Sequence, residues 1–247
     1  MAADIILQTE GATRRFGKFT ALKDVSVAFE RGKLTSIIGP NGAGKSTFFN
    51  LLSGSFAPSS GRVLFDGQDV SHLRQHHFAR AGIAKSFQIT NIFPSFTVLE
   101  NVRIALQARR ARLNFWQKRS ALGLEDAAHA LLARVGIAQH APRLARELAH
   151  GQQRALEIAI ALAADPTLLL MDEPTAGMSP EETKSMMGLI ESLARQRTVV
   201  LVEHKMKMVM GISDRIVVLH HGELLATGTP ADIRANDEVK RVYLGQH

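Results

Sequence analysis

Cysteine is absent from the 247 residues of the chain, which excludes disulfides and thiolate metal sites and makes a reducing compartment the natural setting. Long apolar runs are also absent. The longest, from Ile158 to Ala164, falls far short of the ~18 residues that cross a bilayer. Residues 1–10 have no basic segment followed by an apolar one, so no signal peptide is expected. These absences predict a cytoplasmic protein, which must dock on integral partners if it works at a membrane.

Acidic side chains are missing from residues 101–124, within a chain whose formal net charge is +7. The basic residues of this segment are Arg103, Arg109, Arg110, Arg112, Lys118 and Arg119. One interpretation is a solvated helical face. Another is a surface for anionic lipid head groups or an acidic partner. Nucleic acid ranks below both, because the segment has only two aromatic residues, Phe115 and Trp116, and no recognised nucleic-acid module.

The apolar pattern alternates between strands and helices. Strands are predicted at residues 5–9, 25–29, 34–38, 62–65, 83–87, 167–171, 198–202 and 215–219. Helices are predicted at residues 45–52, 179–195 and 205–212. Such alternation implies a mostly parallel sheet with helices on both faces. Residues 97–163 are instead rich in Ala, Leu and Arg and predict a helical insertion. The chain is thus predicted to be one α/β domain, with its core at about 1–88 and 164–247 and a helical subdomain at about 89–163.

A glycine-rich loop follows the predicted strand at 34–38. It fits the phosphate-binding pattern G-x-x-x-x-G-K-[ST] with Gly39, Pro40, Asn41, Gly42, Ala43, Gly44, Lys45 and Ser46. Small residues let backbone N–H groups curl around phosphates, and the helix that follows directs the positive end of its dipole at them. Lys45 is predicted to reach the β- and γ-phosphates, Ser46 to ligate Mg²⁺ and Thr47 to bond the α-phosphate. A chance match is the alternative, and the strand–loop–helix order disfavours it.

Two carboxylates, Asp172 and Glu173, end the apolar strand predicted at 167–171. Open α/β sheets bind their ligands at the carboxyl ends of strands. Asp172 is therefore predicted to face Mg²⁺, and Glu173 to orient the attacking water and accept its proton. The alternative is a solvated strand end, which the phosphate loop upstream makes the weaker interpretation.

Three further segments complete a pattern. Gln88 follows the predicted strand at 83–87, and His204 follows the one at 198–202. Residues 148–154 read Leu-Ala-His-Gly-Gln-Gln-Arg and open a helix predicted at 152–163. Together with the phosphate loop and the acidic pair, these segments resemble the ATP-binding-cassette (ABC) ATPase family over nearly the whole chain. For a lone histidine, the alternative is a solvated or otherwise satisfied side chain.

The resemblance implies a role for each motif. Gln88 would contact Mg²⁺ and couple the core to the helical subdomain, and His204 would contact the γ-phosphate. The start of the signature helix would grip the γ-phosphate held by the opposite subunit of a head-to-tail dimer, through Ala149, His150, Gly151 and Gln152. Residues 176–179 would lie at the dimer seam. Phe16 would stack on adenine, with Phe19 as the rival and a core role as the alternative.

The resemblance also implies the fold and the function. The fold would be a phosphate-loop NTPase core of RecA-like type, with an N-terminal antiparallel β subdomain and an inserted helical subdomain. The protein would be an ATP-hydrolysing motor that uses ATP and Mg²⁺, peripheral on the cytoplasmic face of the inner (plasma) membrane. Residues 86–88, 96–102 and 243–245 are most similar to ATPases of uptake systems for branched-chain amino acids, urea and short amides. The partners would be integral permease subunits, a second ATPase subunit and, indirectly, an extracytoplasmic solute-binding protein.

Three alternatives stay open: a lipid or lipopolysaccharide export motor, a soluble ABC ATPase of DNA repair or translation, and a phosphate-loop kinase outside the family. The soluble ATPases usually carry two cassettes, a coiled-coil insert or zinc-binding cysteines, which this chain lacks. A kinase would have no reason for the motifs of the second half.

The chain departs from the family pattern at three positions. Ala149 stands where Ser is usual, His150 where small or aromatic residues are common, and Lys205 where Asp often follows the switch histidine. The lost hydroxyl at Ala149 affects the signature of this chain and not its own ATP pocket. It predicts a heterodimer with unequal sites in the working complex and a homodimer in isolation. The alternative is that the Gly151 N–H, the helix dipole and a water molecule or His150 replace the hydroxyl.

Overall fold

A computed structural model describes residues 4–86, 92–113 and 122–244. Its strands are β1 (Ile5–Phe16), β2 (Phe19–Glu30), β3 (Leu34–Ile38), β4 (Ser60–Phe65), β5 (Gln68–Asp69), β6 (Ile83–Ser86), β7 (Leu168–Asp172), β8 (Thr198–Val202), β9 (Arg215–His220) and β10 (Glu223–Gly228). Its α-helices are α1 (Lys45–Leu52), α2 (Gln75–Ala81), α3 (Val98–Leu113), α4 (Leu122–Arg134), α5 (His150–Leu162), α6 (Pro180–Ala194), α7 (Met206–Ile212), α8 (Pro230–Ala235) and α9 (Asp237–Val239). Short 3₁₀ turns at Ala138–His140 and Ala145–Glu147 precede α5, and a π-helical turn at Lys240–Leu244 follows α9.

The strands form two sheets. One has the order β2-β1-β4-β5 and is antiparallel, and the other has the order β10-β9-β3-β8-β7-β6. In the second sheet β9, β3, β8, β7 and β6 run parallel, and only β10 is antiparallel. The phosphate-loop NTPase class, with an antiparallel N-terminal sheet, is thereby confirmed.

The N-terminal strands β1 and β2 are longer than predicted. Their pairing shifts register between Thr9 and Ala12, where Gly11 takes a φ of 57° and its N–H donates to Ser26 Oγ at 2.8 Å. A glycine inside a strand pattern marks either a break or a bulge. Here it is a bulge, so β1 continues past it to Phe16.

Helices cover both faces of the parallel sheet. Every residue of β3, β7 and β8 is buried, because α1 packs against β7 and β8 while α5 contacts β6 and α6 contacts β8. Parallel strands present their carboxyl ends at one edge of the sheet. The loops after β3, β7 and β8 therefore meet there, and this edge is where ligands of such sheets bind.

The helical insertion lies between β6 and β7. Helices α3, α4 and α5 pack on one another through the buried side chains of Val98, Val102, Ala128, Leu132 and Leu156. Helix α5 begins at His150 rather than at the predicted Gln152, because Gln152 Oε1 accepts the N–H of Ala149 at 3.0 Å and closes the first turn earlier.

The basic segment of the insertion is partly engaged. Arg109 pairs with Asp165 at 3.0 Å and so ties α3 to the segment after α5. The side chains of Arg110 and Arg112 lie outside the described part, as do Lys118 and Arg119. Within residues 4–86, 92–113 and 122–244, no helix combines the length and apolar character needed to span a membrane.

Candidate functional site

The phosphate loop joins β3 to α1 and is shaped by close packing. A Cβ at Gly39 would collide with the carbonyl oxygen of Leu219, and one at Gly44 would lie 2.8 Å from that of Ala21. Gly44 also has a φ of 94° as the N-cap of α1, a conformation that disfavours other residues. Gly39 and Gly44 therefore pack closely against the backbone of β9 and β2, and Ser46 is exposed at the start of the helix.

Lys45 lies in the concave side of this loop. Its Nζ donates to the carbonyl oxygens of Gly39 at 2.7 Å and Pro40 at 3.0 Å. Burial lowers the pKa of Lys45, while the carboxylates of Glu173 and Asp172 act in the opposite direction. A half-buried ammonium with only carbonyl partners can take phosphate oxygens as further acceptors.

The acidic pair stands at the carboxyl end of β7. Asp172 is 5% exposed, and burial raises its pKa, as does the neighbouring Glu173. Three cations oppose this shift: Lys85, Arg154 and Lys45. A bound cation would favour the ionised carboxylate in the same way.

The donor set fits a magnesium ion. The Ser46 hydroxyl and the Asp172 carboxylate are hard oxygen ligands, carried by α1 and β7, which pack together. Across the described ranges, no group of three or more His, Asp or Glu side chains is arranged to hold a metal. An ion bound through one carboxylate and substrate phosphates needs no such cluster. Gln88, the third predicted ligand, lies outside the described residues.

Glu173 has an unusual backbone. Its φ is 45°, in the left-handed region that costs a non-glycine residue free energy. Its N–H donates to the carbonyl of Val202 at 2.9 Å. The end of β8 therefore fixes the backbone of Glu173 at the sheet edge.

His204 is brought to the same place. Its ring is half exposed, and Nδ1 lies 3.9 Å from Glu173 Oε1 and also 3.9 Å from Glu203 Oε2. The structure thus unites two residues predicted from separate motifs.

Two charged residues near the site were missed by sequence reasoning. Glu203 is 0% exposed and accepts hydrogen bonds from Thr175 and from the His204 backbone. Lys85 donates to Asn50 Oδ1 at 2.6 Å and opposes the raised pKa of Asp172. The sequence carried a signal for both residues: Lys85 is a charged residue inside the strand β6, and Glu203 directly follows the apolar strand β8.

Phe16 is the last residue of β1, just before the turn to β2. It is 43% exposed, which rules out a core role, and its ring meets Phe56 edge-on at 5.6 Å. The guanidinium of Arg14 lies 4.8 Å from the ring centre. Its rival Phe19 is 66% exposed. Of the two, Phe16 is the ring held in place by neighbours.

The signature segment lies on the insertion, at the start of α5. Ala149 is the N-cap and has no side-chain cap, since a methyl group accepts no hydrogen bond. A Cβ at Gly151 would lie 2.7 Å from Glu182 Oε1, so the Glu182 side chain of α6 lies against the start of α5. His150 lies beside Gly177, within the predicted seam segment.

Taken together, the fold and this edge of the sheet define a phosphate-loop ATPase with an inserted helical subdomain. Residues 22–176 match the family model described as ABC transporter, and residues 223–247 match the one described as branched-chain amino acid ATP-binding cassette transporter. The chain therefore belongs to the ABC transporter ATP-binding family, and it is a nucleotide-binding ATPase subunit.

Individual relatives agree. The chain is 41% identical to the high-affinity branched-chain amino acid transport ATP-binding protein BraF of Pseudomonas aeruginosa, over 98% of each chain. It is 33% identical to the lipopolysaccharide export system ATP-binding protein LptB of Haemophilus influenzae, again over 98% of each. Among solved structures, the ADP conformation of MJ1267, an ATP-binding cassette of an ABC transporter, superposes with a TM-score of 0.86 at 30% identity and covers 98% of this chain and 99% of that one.

Proposed function

We propose that this ATPase powers an importer of branched-chain amino acids or related small polar solutes. The observation that carries the proposal is the full-length similarity to BraF, joined by the match of residues 223–247 to the branched-chain amino acid cassette model. The lower identity to LptB makes lipopolysaccharide export the second candidate. The motor would act on the cytoplasmic face of the inner membrane, bound to permease subunits that a solute-binding protein loads from the other side.

Reconstitution tests this assignment. The chain is co-expressed with candidate permease subunits and a solute-binding protein and co-purified in detergent. ATP hydrolysis is then measured with leucine, valine, urea or a short amide. Stimulation by one of these solutes through the binding protein is expected. Co-purification with lipopolysaccharide-export subunits, or an ATPase indifferent to every solute, would contradict the importer.

The proposed ATP site uses the residues gathered at this edge of the sheet. The phosphates would lie in the loop from Gly39 to Ser46, with Lys45 bridging the β- and γ-phosphates and Thr47 bonding the α-phosphate. Adenine would stack on Phe16. Ser46, Asp172 and Gln88 would hold Mg²⁺, which supplies charge neutralisation at the transferred phosphoryl group.

Hydrolysis would depend on Glu173 and His204. The Glu173 carboxylate orients a water molecule and accepts its proton, because it stands next to Asp172 at the sheet edge. His204, whose Nδ1 lies 3.9 Å from Glu173 Oε1, would contact the γ-phosphate beside that carboxylate.

A second ATPase subunit would complete the pocket. The backbone N–H groups at the start of a helix are well suited to bind an anion. Residues 149–152, at the start of α5, would therefore contact the γ-phosphate held by the partner. Without a serine hydroxyl, Ala149 forgoes one charge-assisted hydrogen bond. We therefore propose a heterodimer in the working complex, whose other pocket combines Lys45 and Glu173 of this chain with the signature of the partner.

Ala149→Ser is expected to raise the ATPase activity of the isolated homodimer by roughly ten- to a hundredfold, since a hydrogen bond to a charged group contributes ~1.5–3 kcal/mol. In the assembled transporter the gain should be small. Activity against ATP concentration is measured in both settings, with exposed Ser185→Ala on α6 as a control. No change in either setting would remove Ala149 as a sign of unequal sites.

The docking surface for the permease would lie at the junction of the core and the insertion. A cleft of about 410 Å³ opens there between α2, β6 and α5, lined mainly by apolar side chains. At the start of the insertion, ahead of α3, Phe93 and Phe96 are 52% and 43% exposed, with ring centres 5.5 Å apart. Exposed aromatic pairs of this kind are typical of binding surfaces.

Phe93→Ser is expected to reduce co-purification of the permease at least about tenfold, as loss of an aromatic anchor costs ~2 kcal/mol or more. The basal ATPase of the isolated chain should stay within twofold. Phe93→Tyr, which keeps the ring, serves as the matched variant. Full assembly by Phe93→Ser would place the docking surface elsewhere.

A further inference from the structure

The segment that follows Glu173 is fixed by one buried residue, Thr175, which is 0% exposed. Its N–H donates to Glu203 Oε1 at 3.2 Å, and its hydroxyl donates to the same oxygen. Its carbonyl accepts from Lys205 Nζ at 2.9 Å. Every polar group of Thr175 is thus held by a residue of the loop after β8. We name this set, Thr175 with Glu203 and Lys205, the Thr175 clamp.

The clamp encloses His204 on both sides. Glu203 Oε2 accepts the N–H of His204 at 3.1 Å and that of Lys205 at 3.4 Å. The histidine ring stands equally far, 3.9 Å, from Glu203 Oε2 and Glu173 Oε1. The two residues that hold Thr175 therefore flank the histidine in sequence.

Lys205 extends the clamp outward. Besides the Thr175 carbonyl, its Nζ donates to Thr183 Oγ1 at 3.1 Å on the first turns of α6. It thereby joins the loop that carries His204 to Thr175, just before the predicted dimer seam at residues 176–179, and to the first turn of α6, which follows that seam. An acidic side chain here would present acceptors to a carbonyl oxygen and could not make the first contact, so this arrangement requires a donor at position 205.

We propose that Lys205 is a positioning residue for hydrolysis, which holds Glu173 and His204 at their working separation and links that separation to the seam segment through Thr175 and Thr183. The inference rests on the proposed roles of Glu173 and His204. In this proposal, Lys205 does not contact the nucleotide. Its effect should fall on turnover, because a misplacement of ~1 Å at reacting groups can cost ~10²-fold in rate.

The test measures ATPase turnover against ATP concentration in the assembled transporter. Lys205→Met should lower kcat about tenfold while KM for ATP stays within about twofold. Lys205→Arg, which keeps a donor, should recover most of the loss. Lys207→Met, an equal loss of charge at an exposed position of α7, is the matched control and should match the parent.

A double-mutant cycle separates the clamp from the site on which it acts. In a His204→Ala background, Lys205→Met should have less than about twofold further effect, since residues acting as a unit are non-additive. Full turnover by His204→Ala alone would contradict the proposed role of the histidine. Turnover of Lys205→Met within twofold of the parent, no recovery by Arg, or an equal loss in the His204→Ala background would overturn the clamp.

Thr183→Val provides a second route, should Lys205→Met fail to fold. It removes only the hydrogen bond from Lys205 Nζ to Thr183 Oγ1. We expect kcat to fall about threefold, because a single hydrogen bond contributes a modest free energy. Unchanged turnover in this variant would exclude the link to α6.

Discussion

Glu173→Gln is expected to retain ATP binding and to lower turnover by ~10²–10⁴-fold, the usual contribution of a general base. The amide preserves the shape of the side chain but accepts no proton at neutral pH. The ATP-bound variant should accumulate as a closed dimer, detectable by size-exclusion chromatography with ATP. Initial rates of phosphate release measure the loss.

Glu181→Gln is the control for this variant, because Glu181 is an exposed carboxylate in the first turn of α6. It should hydrolyse ATP like the parent. Near-normal hydrolysis by Glu173→Gln would contradict the role of Glu173 as the base. It would not contradict the proposed nucleotide site.

Lys45→Ala is expected to weaken ATP binding by at least about 100-fold, since each hydrogen bond to a charged group contributes ~1.5–3 kcal/mol. The loss should exceed that of the phosphate contacts alone, because Nζ also holds the Gly39 and Pro40 carbonyls of the loop. The rise of Tm with added ATP measures binding, as a ligand stabilises only the folded state that binds it.

Lys184→Ala, an exposed change on α6, should keep the full ATP-induced rise in Tm. A Lys45→Ala protein that binds ATP as tightly as the parent, but turns over slowly, would move Lys45 from binding to chemistry.

Local signals predicted the elements that carry the site. The capping box Ser179–Glu182 with Pro180 placed the start of α6 correctly, and both its hydrogen bonds form. Helix α1 and strand β3 have their predicted bounds, since the loop between them is a strong local pattern. Helix α8 was missed, although Thr229, Pro230 and Asp232 repeat the same start signal.

Long-range contacts explain what the sequence could not indicate. The burial of Glu203 depends on Thr175, 28 positions away, and no local pattern predicts that pair. The extension of β1 depends on the bulge at Gly11, which a local reading treats as a break. The roles of Ala149 and of residues 176–179 belong to a second subunit, so they remain predictions.

The order of the parallel sheet bears on how the protein is made. Strand β3, which carries the phosphate loop, is flanked by β8 and β9, and both follow residue 197 in the chain. While the ribosome is still synthesising the insertion, β3 therefore has neither neighbour. Pairings so distant in sequence form late, and an unpaired apolar strand is prone to aggregate in the meantime. A nascent chain that already contains every residue of the phosphate loop should thus be unable to hold ATP until the strand that ends at His220 has left the exit tunnel.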